Sequence, residues 1–425
     1  MSQAKTFSVG KDAFTAAERE WVTQTPNILQ WSDEYTPEAE KKSLIEKVGG
    51  FMRELGRPAF TDAYARIDPK VANAFPLIEA DKYRHYYKDY LHGTGEVESF
   101  ISHVEDENLV GPVVICCEGG NREQPRVKVL IHTKKGTDRT FIPNDGGNRI
   151  KALKALQPGL SSIRFLRVKD PRFGKDMLDY EDKLIATRYK FGILYCRANQ
   201  SIEDQMYNNE HGSPLFEEFL NMLGERVRML GFSRFRGGLD AKTDTTGAHS
   251  VYTEYRGQEI MFHVSTLLPF FPEDPQQVER KRHLGNDVVI VIFREGPNDQ
   301  FSPLTIRSQF NHVYIVITPE KKEGKKTCYR VAVVCKQGVK PFGPSLPEPA
   351  LFRRGRKFRE FLLTKMVNGE RAAFHAKDFV FKFSNTRRIQ LHDIVERYME
   401  GAIPAERNNI LARLSRTTST LTSST

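Results

Sequence analysis

The stretch ERKRHLGND, residues 279–287, holds side chains whose spacing could act on a phosphate group. Lys281, Arg282 and His283 are consecutive, and Asn286 follows three positions after the histidine. A primary carboxamide donates and accepts hydrogen bonds without carrying charge. It could therefore accept a water's proton while donating to a phosphate oxygen. A purely structural interpretation stays open, because cations favour the last turn of a helix and an asparagine can end it.

Two elements would have to hold these side chains in place. Residues 275–286 are predicted to form a helix that starts with acidic residues and a proline. Residues 287–293, DVVIVIF, are apolar at nearly every position, which is typical of a strand covered on both faces. If the helix continues to Asn286, that residue shares a face with His283, and the strand would fix the helix end.

Apolar runs elsewhere define the surrounding elements. From residue 189 onward such strands alternate with helices, which favours a layered α/β domain. The earlier strands and a short helix indicate a smaller α+β domain. The predicted strands are 110–118, 125–133, 161–168, 189–196, 249–255, 258–266, 312–318 and 328–335, and the predicted helices are 37–55, 148–156, 213–230, 355–379 and 386–399.

The composition is that of an ordinary globular protein. The 425 residues are 39% hydrophobic, and 64 basic against 54 acidic residues give a formal charge of +10. The length allows two or three domains with buried cores. The N-terminus lacks an apolar signal segment, and no run approaches the roughly 18 apolar residues of a bilayer-spanning helix, so we expect a cytoplasmic protein. The five cysteines lack CxxC spacing, which favours buried free thiols over a zinc site.

Motifs of the common self-contained enzymes are missing from the sequence. There is no P-loop, nucleophile elbow, kinase signature or HExxH motif. The eleven histidines lack ligand spacing, so no metal site is predicted. His263, in an apolar strand, is interpreted as a core histidine. Gly237 and Gly238 are interpreted as a tight turn, although Arg234 and Arg236 leave an anion-binding role open.

Longer stretches of the sequence resemble one known family. From residue 82 to about residue 395, roughly three quarters of the chain, strings such as YKFGILYC, GFSRFRGGLD and QQVERKRHLGNDVVIVIF are similar to the Rap GTPase-activating proteins. That family includes the signal-induced proliferation-associated group and, more distantly, tuberin. FGPSLPEP and FREFLLTKMVNGERAA continue the similarity. Such ordered strings are far more specific than a short motif.

The resemblance implies a function and a mechanism. Members of the family accelerate GTP hydrolysis by Rap, a Ras-like GTPase without the usual catalytic glutamine, by supplying an asparagine in trans. That asparagine falls on Asn286, which would orient the attacking water. Lys281, Arg282 and His283 match basic residues that support it or contact Rap, and His283 is placed with the catalytic residues. The chain would not be an enzyme itself but would complete the active site of a bound GTPase.

The resemblance also implies an architecture and a set of partners. The expected fold combines a G-domain-like α/β catalytic domain at 187–400 with a smaller α+β domain at 76–186 that mediates homodimerisation. A partly disordered lead-in occupies 1–75, and a disordered Ser/Thr-rich tail occupies 401–425. The partner is a Rap-type small GTPase in its GTP form, which brings GTP and Mg²⁺, so no cofactor is expected in this chain. Peripheral membrane association through that partner is left open.

One departure from the family pattern concerns the last helix. The family has Arg-Thr-Arg there, with the first arginine near the Rap interface. This chain has Asn385 and Thr386 followed by Arg387 and Arg388. Either Arg387 or Arg388 would have to substitute as a GTPase-binding residue.

Two other functions compete with GTPase activation. The first is a non-catalytic dimeric scaffold that binds a small GTPase, and the intact KRHLGN string argues against it. The second is nucleic-acid binding, which the net charge suggests. It is disfavoured because the basic residues are interspersed with acidic ones and no recognised module is visible.

Overall fold

The computed structural model describes most of the chain between residues 85 and 405, with two shorter segments before it. The described ranges are 31–32, 43–54, 85–102, 111–119, 124–184, 186–296, 300–320 and 327–405. They divide into two compact units. The first comprises the described residues of Ala80–Ile185 and Phe381–Thr425, and the second comprises those of Asn27–Glu79 and Ala186–Val380.

The elements of the described residues are numbered here in chain order. The strands are β1 (Trp31–Ser32), β2 (Phe51–Glu54), β3 (Val97–Ser102), β4 (Val114–Glu118), β5 (Arg126–Thr133), β6 (Gly136–Pro143), β7 (Phe165–Val168), β8 (Arg188–Cys196), β9 (Glu225–Arg228), β10 (His249–Tyr255), β11 (Gln258–Val264), β12 (Val289–Arg294), β13 (Val313–Glu320), β14 (Cys328–Lys336), β15 (Leu351–Arg353) and β16 (Ile403–Pro404). The helices are α1 (Tyr86–Tyr90), α2 (Arg149–Leu156), α3 (Phe173–Leu184), α4 (Glu203–Tyr207), α5 (Pro214–Leu223), α6 (Val278–Leu284), α7 (Arg356–Ala373) and α8 (Lys377–Met399).

The first unit is built on an antiparallel sheet in the order β16-β7-β3-β4-β5-β6. Alternate residues of β4 enter different cores, because successive side chains of a strand point to opposite faces. Val114 and Cys116 pack with α1, α3 and the C-terminal part of α8. Ile115 and Cys117 pack with α2. Helices therefore cover this sheet on both faces.

The second unit is built on a mixed sheet in the order β1-β2-β14-β13-β12-β8-β11-β10-β9, with β15 beside β14. Its central strands β13, β12, β8 and β11 are parallel. In β12, Val289, Val291 and Phe293 pack with α5 and α7, whereas Ile290 and Ile292 pack with α4 and α6. The predicted mixed α/β layering is confirmed here, and coverage on both faces explains why β12 is apolar at successive positions.

The predicted helix at 213–230 is too long. Ser213 caps α5 as predicted, and its Oγ accepts a hydrogen bond from the Phe216 amide at 3.1 Å. The helix ends at Leu223 because Gly224 is extended and lies directly against β10. A Cβ on Gly224 would lie only 2.4 Å from the Tyr252 carbonyl oxygen. The residues that follow form β9, which pairs with β10.

The predicted helix at 37–55 is wrong where the structure describes it. Residues 51–54 form β2, which pairs with β14. A turn at Gly49 and Gly50 precedes the strand, and Gly50 has a φ of 81°, a left-handed conformation that glycine tolerates. Residues 37–42 lie outside the described residues, as does most of the predicted lead-in.

The C-terminal helices differ from the prediction in two ways, namely where the helix break falls and which unit the last helix joins. The helix break falls at 374–376 rather than before residue 386, so α8 is continuous. From Phe381 onward the chain belongs to the first unit. The cause is the packing of Leu391, Val395 and Tyr398 into the core of that unit.

The predicted disordered tail begins with ordered structure. Ile403 and Pro404 form β16, which pairs with β7. Asn148 Nδ2 also donates to the Ala405 carbonyl oxygen at 2.8 Å. Residues 406–425 lie outside the described residues.

Three global features concern membranes, metals and thiols. None of the helices in the described ranges is long and apolar enough to span a bilayer. The same ranges contain no group of three or more His, Cys, Asp or Glu side chains placed to hold a metal ion. None of the five cysteines, all of them described, forms a disulfide bond, and all but the half-buried Cys328 are buried.

Candidate functional site

The helix that carries the basic residues is shorter than predicted at both ends. Gln277 is buried and has a left-handed φ of 48°, so α6 begins at Val278 rather than at residue 275. The Gln277 amide is fixed because Nε2 donates to the carbonyl oxygens of Phe271 at 2.6 Å and Asp274 at 2.7 Å. Asp274 Oδ2 in turn accepts from the Val278 amide at 2.7 Å. The acidic start of the helix therefore caps it.

Arg280 points into the protein and braces α6. Its guanidinium is buried, and its hydrogen bonds to the described residues go to backbone carbonyl groups. Burial lowers the pKa of Arg280 to about 10, so it stays charged at neutral pH. The acceptors are the oxygens of Pro269 at 3.0 Å, Tyr207 at 2.8 Å, Asn209 at 2.9 Å and Leu268 at 3.1 Å.

The other cations of α6 are paired within the chain. Lys281 forms an ion pair with Asp204 and lies 3.6 Å from a carboxylate oxygen of Glu203. Arg282 is exposed and lies 2.7 Å from Glu279, three positions earlier on the helix. Lys281 is therefore neutralised by α4, whereas Arg282 is exposed, and the role of both residues in supporting Asn286 or contacting a GTPase stays a prediction.

The C-terminal end of α6 is held by donors to successive carbonyl groups, which a helix end otherwise leaves free. The Gly285 amide donates to Lys281 O at 2.7 Å. Asn311 Nδ2 donates to the carbonyl oxygens of Leu284 and Asp287. Ser308 Oγ donates to the Gly285 oxygen. The turn after α6 is therefore fixed in one position.

Asn286 lies on this turn, and its side chain is exposed. Its Nδ2 donates to the Arg282 carbonyl oxygen at 2.7 Å. This is the capping role that the sequence leaves open. The bond uses one of the two Nδ2 protons, and within the described residues Oδ1 has no hydrogen-bond partner. The carboxamide is thus oriented by the helix while one donor and its acceptor remain available.

Asp287 is a buried carboxylate beneath the turn. Lys190 Nζ on β8 donates to its Oδ1 at 2.8 Å and to the Asn286 carbonyl oxygen at 2.7 Å. The other oxygen, Oδ2, lies 2.9 Å from His263 Nδ1. Gly192 makes room for this carboxylate, because a Cβ there would lie 3.2 Å from Asp287 Oδ2.

The two histidines of the site are in ring contact. His263 is buried as predicted, and its Nε2 donates to the Gly237 carbonyl oxygen at 3.0 Å. Gly237 and Gly238 have positive φ values, which confirms the predicted tight turn. The His283 ring lies 5.4 Å from the His263 ring, measured between centroids. Burial, then the neighbouring His263 and Arg282, lower the pKa of His283 to about 4, so it is neutral at physiological pH.

Two of the predicted site residues belong to the other compact unit. Arg387 and Arg388 belong to the first unit, whereas Asn286 belongs to the second. Arg387 is half-buried and donates to Thr137 Oγ1 at 3.2 Å. Arg388 is exposed, and its Nε lies 3.4 Å from Asn385 Oδ1. Their predicted contact with a GTPase stays a prediction.

Sequence reasoning missed the residues that position Asn286. Lys190 and Asn311 lie far from it along the chain, and Asp287 was assigned only to the strand. The signals available were a lysine at the start of an apolar strand and a carboxylate directly after the asparagine.

Comparison with known proteins identifies the family. Residues 206–388 match the Rap/ran-GAP family, a stretch that includes α6 and Asn286. Signal-induced proliferation-associated protein 1 of Homo sapiens is 38% identical over 392 residues, covering 84% of this chain and 37% of that protein. Signal-induced proliferation-associated 1-like protein 3 of Mus musculus is 43% identical over 343 residues, covering 76% and 19%.

Two further proteins are similar to the chain. GTPase-activating Rap/Ran-GAP domain-like protein 3 of Homo sapiens is 32% identical over 388 residues, covering 89% of this chain and 37% of that protein. The solved TSC2 GAP domain is 31% identical, matching 47% of this chain and 99% of that chain with a TM-score of 0.36. The chain belongs to the Rap/ran-GAP family. It spans at most 37% of the length of each of the three curated relatives.

Proposed function

We propose that this chain is a GTPase-activating protein for a Rap-type small GTPase, and that Asn286 enters the nucleotide site of the bound partner. There the carboxamide positions the hydrolytic water, and the partner supplies GTP and Mg²⁺. Family membership supports the class of activity. One relative is named a GTPase-activating Rap/Ran-GAP domain-like protein.

The observation that carries the proposal is the exposure and orientation of the Asn286 carboxamide. It is exposed, and its one bond to the Arg282 carbonyl oxygen fixes its direction. The remaining donor and acceptor match a task that requires both at once: accepting a hydrogen bond from the water and donating one to a phosphate oxygen. Because the side chain is uncharged, it adds no charge next to the nucleotide.

The surroundings of Asn286 support the same role by holding its backbone in place. Lys190 binds its carbonyl oxygen, and Asn311 binds the carbonyl groups on either side of the turn. A catalytic group gains rate from such fixed positioning, because little reorganisation is needed when the partner docks. Neutral His283 packs beside the turn and is proposed to support it, as the family resemblance implies.

The experiment that tests this function is a phosphate-release panel. Several purified Ras-family GTPases are loaded with GTP, and single-turnover release is followed with and without this chain. We expect acceleration of at least a hundredfold for a Rap-type GTPase. Failure to accelerate any member of the panel would contradict the proposal, whereas acceleration of a member other than the Rap-type GTPase would show that another Ras-family GTPase is preferred.

The second candidate, a scaffold that holds a small GTPase without catalysis, is favoured by one observation. Asn286 already has a structural use, because it caps α6 through Arg282. A scaffold would bind the GTP-loaded partner in a pull-down and leave its rate of phosphate release unchanged. The same panel therefore separates the two functions.

We also propose the homodimer that the family resemblance implies. In the first unit, β6 lies at the edge of the sheet and is mostly half-buried. A sheet edge presents unpaired backbone groups that a second copy could use. Sedimentation of the full chain at micromolar concentration tests this, and a monomer mass at all concentrations would contradict it.

A further inference from the structure

One exposed stripe runs along α6 to the turn that follows it and combines an apolar side chain with the candidate catalytic residue. Val278, Arg282 and Asn286 are spaced by four positions and are all exposed. Val278 and Arg282 share a face of α6 because residues four apart on a helix do so, and the Asn286 side chain on the following turn donates to the Arg282 carbonyl oxygen. The helix rises about 9 Å from Val278 to Leu284, and Asn286 follows two positions later. A partner surface that contacts Asn286 on this face therefore lies close to Val278.

Two further apolar side chains lie on segments bonded to the same helix. Thr305 Oγ1 donates to the Ser201 carbonyl oxygen at 3.4 Å, which joins the segment carrying Leu304 to the one carrying Ile202. The Arg307 amide donates to a carboxylate oxygen of Glu203 at 3.3 Å. Because Lys281 pairs with that same α4 carboxylate, the two segments and α6 form one block.

These three side chains are unusual in their exposure. Leu304 is 63% exposed, Ile202 54% and Val278 52%, the highest values among the large apolar residues that the structure describes. Single exposed apolar residues are normal on a protein surface. The three highest values lie on one bonded block that includes α6, the helix before the candidate catalytic residue, and they indicate a binding surface. We call Ile202, Val278 and Leu304 the apolar shoulder.

We propose that the apolar shoulder is a docking surface for an apolar patch of the same GTP-loaded small GTPase, an inference that rests on the proposed function. A stable interface buries roughly 800 Å² on each partner, a patch about 30 Å across. A partner that receives Asn286 therefore extends over Val278.

The charges of α6 make an apolar contact necessary for affinity. Lys281 is paired with α4, and Arg282 is paired with Glu279. Exposed pairs of this kind contribute little net attraction to a partner. Burying an aliphatic side chain contributes about tenfold or more in binding. The shoulder supplies that contribution beside the catalytic residue.

The test combines Ile202→Thr, Val278→Thr and Leu304→Gln in one variant. These changes remove apolar surface while keeping similar side-chain size, and circular dichroism checks the fold. The matched control is Leu230→Gln, a 50% exposed leucine on neither α6 nor the two segments bonded to it. Stimulated hydrolysis by a purified Rap-type GTPase is measured at increasing concentrations of that GTPase.

We expect the triple variant to raise KM at least tenfold, with a much smaller change in kcat, and the control to match the wild type. An unchanged KM would overturn the docking surface even if the wild type accelerates hydrolysis. If the wild type fails to accelerate, binding of the GTPase loaded with a non-hydrolysable GTP analogue is measured. If the wild type binds and the triple variant does not, the docking surface is supported although the GTPase-activating function is not. If the wild type does not bind, both the docking surface and the proposed function are overturned.

Discussion

Lys190 Nζ donates to the Asn286 carbonyl oxygen at 2.7 Å, so the start of β8 is bonded to the turn that follows α6. The same ammonium group neutralises the buried carboxylate of Asp287. One side chain from a central strand therefore holds the backbone of the candidate catalytic residue and its neighbour. The position of Asn286 depends on the sheet as well as on its own helix.

Replacing this lysine, Lys190→Met, removes both bonds and leaves Asp287 with its 2.9 Å contact to His263 Nδ1. We expect the free energy of unfolding to fall by about 1–3 kcal/mol, because the buried Asp287 carboxylate loses the ammonium group that neutralises it. We expect kcat of stimulated GTP hydrolysis to fall more than KM rises, because the turn loses its support. Urea denaturation and GTPase kinetics measure the two effects.

The control is Arg188→Met on the same strand, since Arg188 is exposed and pairs with Glu259 at 3.0 Å. It should behave like the wild type in both assays. Equal losses of kcat in the two variants would show that Lys190 has no special relation to Asn286.

Arg387 and Arg388 give a matched pair for the predicted partner contact in α8. Arg387→Ala should lower the free energy of unfolding by about 1 kcal/mol, because its bond to Thr137 is lost. Arg388→Ala should leave stability within about 0.5 kcal/mol and raise KM several-fold. Thermal unfolding and kinetics on both variants test this. If Arg387→Ala raised KM without affecting stability, Arg387 rather than Arg388 would be the residue that contacts the GTPase.

His132 predicts a pH-dependent stability. Its ring is fully buried, and burial, then the charge of Arg387, lower the pKa of His132 to about 3. The unfolded chain binds a proton near pH 6.5 and the folded chain does not. The stability contributed by this neutral ring is therefore present above pH 6.5 and is lost as the pH falls toward 3.

The measurement compares wild type with His132→Gln by urea denaturation at pH 7.5 and pH 5. The stability advantage of the wild type should shrink by about 2 kcal/mol between these pH values. Other titrating groups cancel in the difference between the two proteins. A constant difference across this range would mean that His132 takes up its proton at the same pH in the folded and the unfolded chain.

Much of the architecture could be predicted because it follows from local patterns. The apolar run of β12 indicated a strand covered on both faces, and Ser213 with the proline after it marked the start of α5. The chemistry of Asn286 could also be predicted from the sequence, because a carboxamide among cations has few roles besides capping and binding. The structure shows the capping bond and leaves the remaining donor and acceptor exposed.

The rest depended on contacts that no local pattern contains. Lys190 meets Asn286 because β8 and β12 are parallel neighbours, and periodicity does not say which strands pair. Arg280 directly precedes Lys281 and Arg282 in the sequence, yet it is buried and donates to four backbone carbonyl groups. The helix at 213–230 was extended too far because the close approach of Gly224 to β10 overrides the apolar periodicity beyond it.

The most direct test of the account is the rate of GTP hydrolysis by a Rap-type GTPase with Asn286→Ala, under single-turnover conditions and saturating protein. Asn221→Ala, an exposed asparagine on α5, is the control. The account predicts a loss of about a hundredfold or more for Asn286→Ala, with an unchanged melting temperature to within a few degrees and no loss for the control. A rate within a few-fold of the wild type would contradict the role assigned to this carboxamide.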